Sequence, residues 1–162
     1  MQNRLLMLIV LVTLPLLTIT ALHAAETPTQ IANQKQNQAE KNKALVIDFY
    51  KGVFEQHQVK TYADRYIDNQ YIQHNPHVSD GKIPFVNYFT QYFQENPIAQ
   101  SSIKRVAAEG DLVWLHVHSK ENTEDLGTAV IDIFRVEKGK IVEHWDVQQD
   151  VPQLNANQNT MF

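Results

Sequence analysis

No cysteine occurs in the 162-residue sequence. Disulfides, thiol nucleophiles, cysteine-ligated zinc and lipid attachment at a cleaved leader are thereby excluded. A chain without thiols suits an oxidising compartment. There is also no basic stripe or Arg/Lys cluster: 14 basic residues stand against 18 acidic ones, so nucleic acid is not an expected partner. The five glycines form neither a phosphate loop nor a dinucleotide fingerprint, and no Ser/His/Asp elbow appears. Internal repeats are absent too.

One long hydrophobic run is present, and it lies at the start. Met1-Gln2-Asn3-Arg4 carries a single positive charge, Leu5 to Leu17 is almost wholly apolar, and small residues follow at Ala21, Ala24 and Ala25. This has the charged, apolar and cleavage regions of a secretory signal peptide. Cutting after Ala24 puts Leu22 at the third position back, and cutting after Ala25 puts His23 there. The competing reading is an uncleaved anchor, because Leu5 to Leu22 approaches the roughly 18–20 apolar residues that span a bilayer. Pro15 and the small residues beyond it favour cleavage, so residues 1–24 are read as a signal peptide and the protein as exported, to a periplasm. Loss of Arg4 leaves 13 basic and 18 acidic residues, a formal net charge of −5. Residues 25–41, rich in Gln, Asn, Lys and Thr, read as a polar linker that cannot bury a face. What remains, 42–162, is the length of one domain.

Within that domain Leu45, Val46, Phe49, Tyr50, Val53 and Phe54 recur at helical spacing, predicting an amphipathic helix over Asn42 to Gln58. A shorter helical segment spans Thr61 to Tyr66. Tyr71 to His77 reads as a brief strand stopped by Pro76, followed by a loop through Ser79-Asp80-Gly81. A second amphipathic helix covers Ile83 to Glu95, with Phe85, Val86, Phe89, Tyr92 and Phe93 inward, and Asn96-Pro97 ends it. The period then changes to two. Ile103 to Ala108 and Leu112 to Ser119 are strands joined by Glu109-Gly110-Asp111, and a polar loop runs from Lys120 to Gly127. The polar tail ends in Met161-Phe162, an apolar pair able to dock. Helices followed by antiparallel strands make an α+β arrangement, a curved sheet wrapped around N-terminal helices with a pocket between them.

Val130 to Val147 is the stretch around which the chemistry gathers. Two apolar strands flank Glu137-Lys138-Gly139, and Gly139 tolerates positive φ, so a three-residue loop closed by a glycine bulge is predicted. That loop pairs Phe134 with Val142, Asp132 with His144 and Val130 with Asp146. Asp132, His144 and Asp146 then share an otherwise apolar face. Buried charges are costly unless paired and often do chemistry. A two-residue Lys138-Gly139 turn would instead place Asp132 opposite Trp145 and separate the set.

The order of elements carries a resemblance, together with His74-Asn75-Pro76, Asp80-Gly81, Gly110-Asp111-Leu112-Val113, Asp132-Ile133-Phe134-Arg135, Gly139 to Asp146 and Asn159-Thr160-Met161-Phe162. Over residues 42–162 the chain resembles the SnoaL-like polyketide cyclase family of the nuclear transport factor 2-like superfold, a cone-shaped α+β barrel. The resemblance implies ring closure by intramolecular aldol condensation with no cofactor and no metal, and an acid/base aspartate at Asp146. In the related ketosteroid isomerases an oxyanion-stabilising aspartate falls at the position of Asp132. Their general base has no carboxylate counterpart here, which argues against steroid isomerisation. Dimers are common in this superfold, so a homodimer is expected.

The residue types fit that chemistry. A carboxylate in an apolar cavity can remove a proton next to a carbonyl, and a neutral acid or imidazole N–H can donate to the oxyanion that forms. Asp146 suits the first role, Asp132 and His144 the second. Against these stand a capping or salt-bridged Asp146, an Asp132 bonded to Arg135, and a His144 exposed at a strand edge. His74, Asn75, Phe89, Phe134 and Trp145 are candidate substrate contacts. His116 and His118 join them if their strand face meets the pocket. The alternative for that pair is solvent or a subunit interface, because Val113, Leu115 and Val117 make the opposite face the apolar one. A metal reading would gather His74, His116, His118, His144 and a carboxylate. The expected ligand is a small, apolar, carbonyl-bearing molecule. The rivals to catalysis are a carrier using the same pocket and a dimerising interaction module.

Overall fold

The computed structural model describes residues 26–162; the signal peptide expected at 1–24 lies outside them. Helix α1 runs from Pro28 to Tyr50 and continues as a π turn over Lys51–Glu55. Helix α2 (Val59–Tyr66) leads directly into strand β1 (Ile67–Gln73), and helix α3 (Lys82–Glu95) follows. Four strands complete the chain: β2 (Gln100–Glu109), β3 (Leu112–Lys120), β4 (Thr128–Glu137) and β5 (Lys140–Asp150). They form one five-stranded sheet in the order β1-β5-β4-β3-β2. β2 to β5 pair antiparallel, and β1 lies parallel to β5. The sheet is open, and irregularities in the β1/β5, β2/β3 and β4/β5 pairings supply the local bending that curves it over the helices.

Two elements begin earlier than the sequence pattern suggested. The polar segment 25–41 is helical from Pro28, because Thr27 and Gln30 form a capping box and Pro28 occupies the first turn. Its residues up to Gln38 remain exposed, so burial does not set its conformation; capping and good helix formers do. β1 starts at Ile67 rather than Tyr71, where the inward ring of Tyr71 and the side chain of Ile67 are both about fully buried.

The core lies between the inner sheet face and the helices. Val46, Phe49, Tyr50 and Val53 on α1 and its π turn pack with Phe85 and Phe93 of α3 and with Val113, Leu115, Val117, Phe134 and Ile141 of the sheet. At Gly52, in the π turn, a Cβ would overlap the ring of Tyr62. Gly52→Ala is expected to cost about 1–3 kcal/mol by overpacking, read as a lower urea midpoint with an unchanged slope. A loss below about 0.5 kcal/mol would mean that the Tyr62 ring swings aside freely.

The β4–β5 hairpin corrects the expected turn. Lys138 and Gly139 both have positive φ, 50° and 76°, and Glu137 faces Lys140, a two-residue turn of the primed type. Alone it would have put Asp132 and His144 on opposite faces. The strand pairing slips by one residue just beyond: Val136 faces Ile141, but Arg135 faces Glu143. With Val142 bulged out, Phe134 faces His144 and Asp132 faces Asp146. Parity is restored, and the three polar residues share the inner face after all, with Asp146 rather than His144 opposite Asp132.

Candidate functional site

A cavity of about 670 Å³ opens between α1, α3 and the inner face of the sheet. Its apolar wall is aromatic: Tyr50, Phe54, Phe85, Phe89 and Phe93 from the helical side and Phe134 from β4. Phe54 meets Phe85, Phe89 and Phe93 edge-on, with the Phe54 and Phe89 centroids 4.9 Å apart at 86°, the geometry aromatic quadrupoles favour. Asp132, His144, Asp146, Tyr71 and Gln73 supply the polar end. Around the rest of the lining stand Glu121, Glu124, Asp125 and Asp150, with Lys120 as the one Lys or Arg among the lining residues.

At the polar end, Asp132 is 7% and His144 9% exposed. His144 Nε2 lies 3.0 Å from Asp132 Oδ1, and Nδ1 lies 2.9 Å from Gln73 Oε1. Phe134 and Tyr71 cover the imidazole, with ring centroids 4.7 and 6.4 Å away. Asp146, half-buried, accepts through Oδ2 from the amides of Asn75 (2.8 Å) and Gln148 (2.7 Å). Asp132 Oδ2 and Asp146 Oδ1 are buried and have no hydrogen-bond partner among the described residues. Opposed residues on antiparallel strands have Cβ atoms about 4.5–5.5 Å apart, and two like charges there repel. Bare, buried carboxyl oxygens on neighbouring side chains are costly unless they have something to do.

Two tyrosines complete the lining. Burial, reinforced by the charge of Asp132, pushes the hydroxyls of Tyr50 and Tyr71 well above the usual phenol range. Both therefore stay protonated and act as neutral donors. Tyr71 is 1% exposed and accepts from the Gln73 amide at 3.3 Å.

The structure brings Asp132, His144 and Asp146 together with Phe89 and Phe134, as the sequence suggested. Asn75 contacts Asp146 directly. The other expected substrate contacts lie elsewhere. His74 is exposed, donates to Glu143 (2.8 Å) and stacks on Trp145 at 4.6 Å. His74 and Trp145 are therefore corrected to the outer face of the sheet, because alternation places Trp145 opposite to its neighbours His144 and Asp146. His116 and His118 are corrected likewise: Val113, Leu115 and Val117 take the inner face. Their outer face receives the C-terminal tail instead, with Phe162 stacked 4.0 Å from His118 and 5.7 Å from His116. Arg135 binds Glu143 at 2.6 Å rather than Asp132. That contact and the one to His74 hold the Glu143 carboxyl below the usual range, that of His74 contributing most. The residues of the metal reading are thus dispersed, and among the described residues no three His, Asp or Glu side chains gather as ligands.

Sequence reasoning missed Gln73, Gln148, Tyr50 and Tyr71 as parts of the site. Tyr50 sat in an apolar helical pattern and read as core, and Tyr71 opened a brief strand with no role assigned to it. Gln148 carried a usable signal, since it lies two residues beyond Asp146 on the same strand face. Gln73 carried none, because its link to His144 depends on a parallel pairing between chain segments 71 residues apart.

The sequence pattern described as SnoaL-like polyketide cyclase matches residues 44–157. No curated protein matches the sequence. Among solved structures, a candidate ketosteroid isomerase from Kribbella flavida aligns with TM-score 0.60 and 14% identity, covering 77% of this chain and 90% of its own. A candidate polyketide cyclase from Bacillus cereus gives TM-score 0.59 and 18% identity, over 70% and 77%. An uncharacterised cystatin-fold protein from Novosphingobium aromaticivorans gives 0.57 and 18%, over 65% and 97%. At these identities the likeness shows the fold alone.

Proposed function

Because the chain belongs to the SnoaL-like polyketide cyclase family, with the nuclear transport factor 2-like fold, we propose that its cavity performs cofactor-free proton abstraction next to a carbonyl. The observation that carries this reading is the opposed pair Asp132 and Asp146, each with a bare buried oxygen, beside a hydrogen-bonded histidine.

Asp146 is the base. Two amides hold one of its oxygens and leave the other to take the proton. General-base assistance of this kind is worth about 10²–10⁴-fold. The proton shared by Asp132 and His144 passes to the carbonyl oxygen as negative charge develops there, with the Tyr50 and Tyr71 hydroxyls as further donors in a water-poor site. The enol then attacks a second carbonyl of the same molecule, is protonated by Asp146 at another carbon, or expels a hydroxyl as water, and its O–H proton returns to the Asp132–His144 pair: aldol cyclisation, isomerisation or dehydration. The substrate is small and apolar, matching the aromatic wall. It is also not anionic, because six carboxylates and one lysine line the cavity and a cleft of one sign repels its own charge.

Two further parts of the reading concern the whole molecule. Export is proposed from the charged start, apolar run and small residues within 1–24. Homodimerisation would use the outer sheet face, where Ile131 and Val147 are exposed beside Trp145.

Native mass spectrometry of protein purified from its own host, with chromatographic separation of the released ligand before and after warming, tests the proposal. The expected result is a neutral, carbonyl-bearing ligand that warming with the protein converts to an isomer of the same mass or to a product lighter by one water. A ligand retained unchanged would make the protein a carrier.

A further inference from the structure

Gln73, the last residue of β1, is the cross-strand partner of His144. Its Oε1 accepts the backbone N–H of Asn75 at 3.0 Å, while its Nε2 donates to the Tyr71 hydroxyl at 3.3 Å. The first bond, from a group that can only donate, fixes which end of the amide is oxygen. The atom presented to His144 Nδ1 at 2.9 Å is therefore an acceptor only, and the contact requires a hydrogen on Nδ1. On the other side of the ring, Nε2 faces Asp132 Oδ1 at 3.0 Å.

A neutral imidazole with its hydrogen on Nδ1 has only a lone pair at Nε2. A lone pair against an ionised carboxylate is repulsive, in a place from which water is nearly excluded. The pair relieves this by holding one more proton between Nε2 and Oδ1, carried by the carboxyl or by the ring. With Nδ1 free, the ring would turn its tautomer round and offer Nε2–H to the carboxylate. It would then need no extra proton.

We propose that Gln73 is the positioning residue that loads the His144–Asp132 pair with one transferable proton. Its usefulness rests on the proton-transfer reading above, but its existence does not. In use, Asp146 gains the substrate's C–H proton and the loaded pair gives its proton to the carbonyl oxygen. As the enol collapses its O–H proton returns to the pair, and Asp146 delivers its own proton to the new carbon or oxygen of the product, so charge and atoms balance over the cycle.

The test is the tautomer of His144, read from long-range ¹H–¹⁵N correlation spectra of full-length protein labelled in its seven histidines. His144 is assigned by its disappearance in His144→Gln. The wild type is expected to show a protonated Nδ1 at neutral pH. Gln73→Leu is expected to move the hydrogen to Nε2, and Gln73→Glu, which keeps an acceptor, to hold it on Nδ1. A bare Nδ1 in the wild type overturns the proposal, as does a Gln73→Leu protein whose His144 spectrum is unchanged. If Gln73→Leu fails to fold, the wild type and Gln73→Glu still decide. With a substrate in hand, Gln73→Leu should lower kcat at least tenfold with KM little changed, and Gln73→Glu should restore most of it. A protonated Nδ1 in a protein that turns nothing over would sink the catalytic reading and leave this one standing.

Discussion

Asp146→Asn is expected to abolish turnover while the protein stays folded. Asparagine keeps an acceptor for the Asn75 and Gln148 amides, whose bonds hold Asp146 in place at 2.8 and 2.7 Å. What it removes is the second oxygen's capacity to take a proton. Loss of a positioned general base lowers the rate by about 10²–10⁴-fold, and the effect should fall on kcat more than on KM, since the group acts in the transition state. Stability should change by no more than about 1 kcal/mol, because a net hydrogen bond is worth about that much and an acceptor remains. Rates at saturating substrate, set beside urea unfolding of the same preparation, separate the two quantities. Undiminished turnover would remove Asp146 from the mechanism.

His144→Phe is expected to cost about 3–5 kcal/mol, the usual result of stripping one partner from a buried charged pair. Phenylalanine keeps the ring contacts with Phe134 and Tyr71, so lost packing is not the main effect. The damage lies in Asp132. Its Oδ2 already has no partner, and without His144 neither would its Oδ1. The double variant Asp132→Leu/His144→Phe should recover most of the loss, because replacing a whole buried pair by apolar side chains is often neutral or better. Urea unfolding of wild type, both single variants and the double variant gives the coupling directly. A cost below about 1 kcal/mol for His144→Phe, typical of exposed pairs, would mean that water reaches the pair and that the proton it holds is ordinary.

Periodicity located every helix and strand of the domain, because amphipathic spacing is a local property of the chain. Val46, Phe49, Tyr50 and Val53 face the core as their spacing demanded. So do Val113, Leu115 and Val117, and their alternation already hinted that His116 and His118 face outward. The ends of elements were less legible. A capping box extended α1 back through residues too polar to bury. Pairing with β5 extended β1 back to Ile67 and left it parallel to its neighbour.

The candidate site divides along the same line. Residue order placed Asp132, His144 and Asp146 on two adjacent strands, and alternation required only that the hairpin keep an even register for all three to face inward. The parity expected was right, although it arose differently: a two-residue turn at Lys138-Gly139 plus a bulge at Val142, in place of a single three-residue loop. Turn rules see only the residues at the reversal, whereas a bulge is settled by which side chains the core can accept. Sequence alone thus determined the strands and the helical faces, and the bulge decided that the three polar residues share one inner surface. Tertiary structure decided that Asp146 stands opposite Asp132, that Gln73 reaches His144, and that His74, His116, His118 and Trp145 look away from the cavity. Those outcomes depend on register and on contacts between distant segments, which are fixed by the free energy of packing the whole sheet against the helices and not by any short stretch of chain.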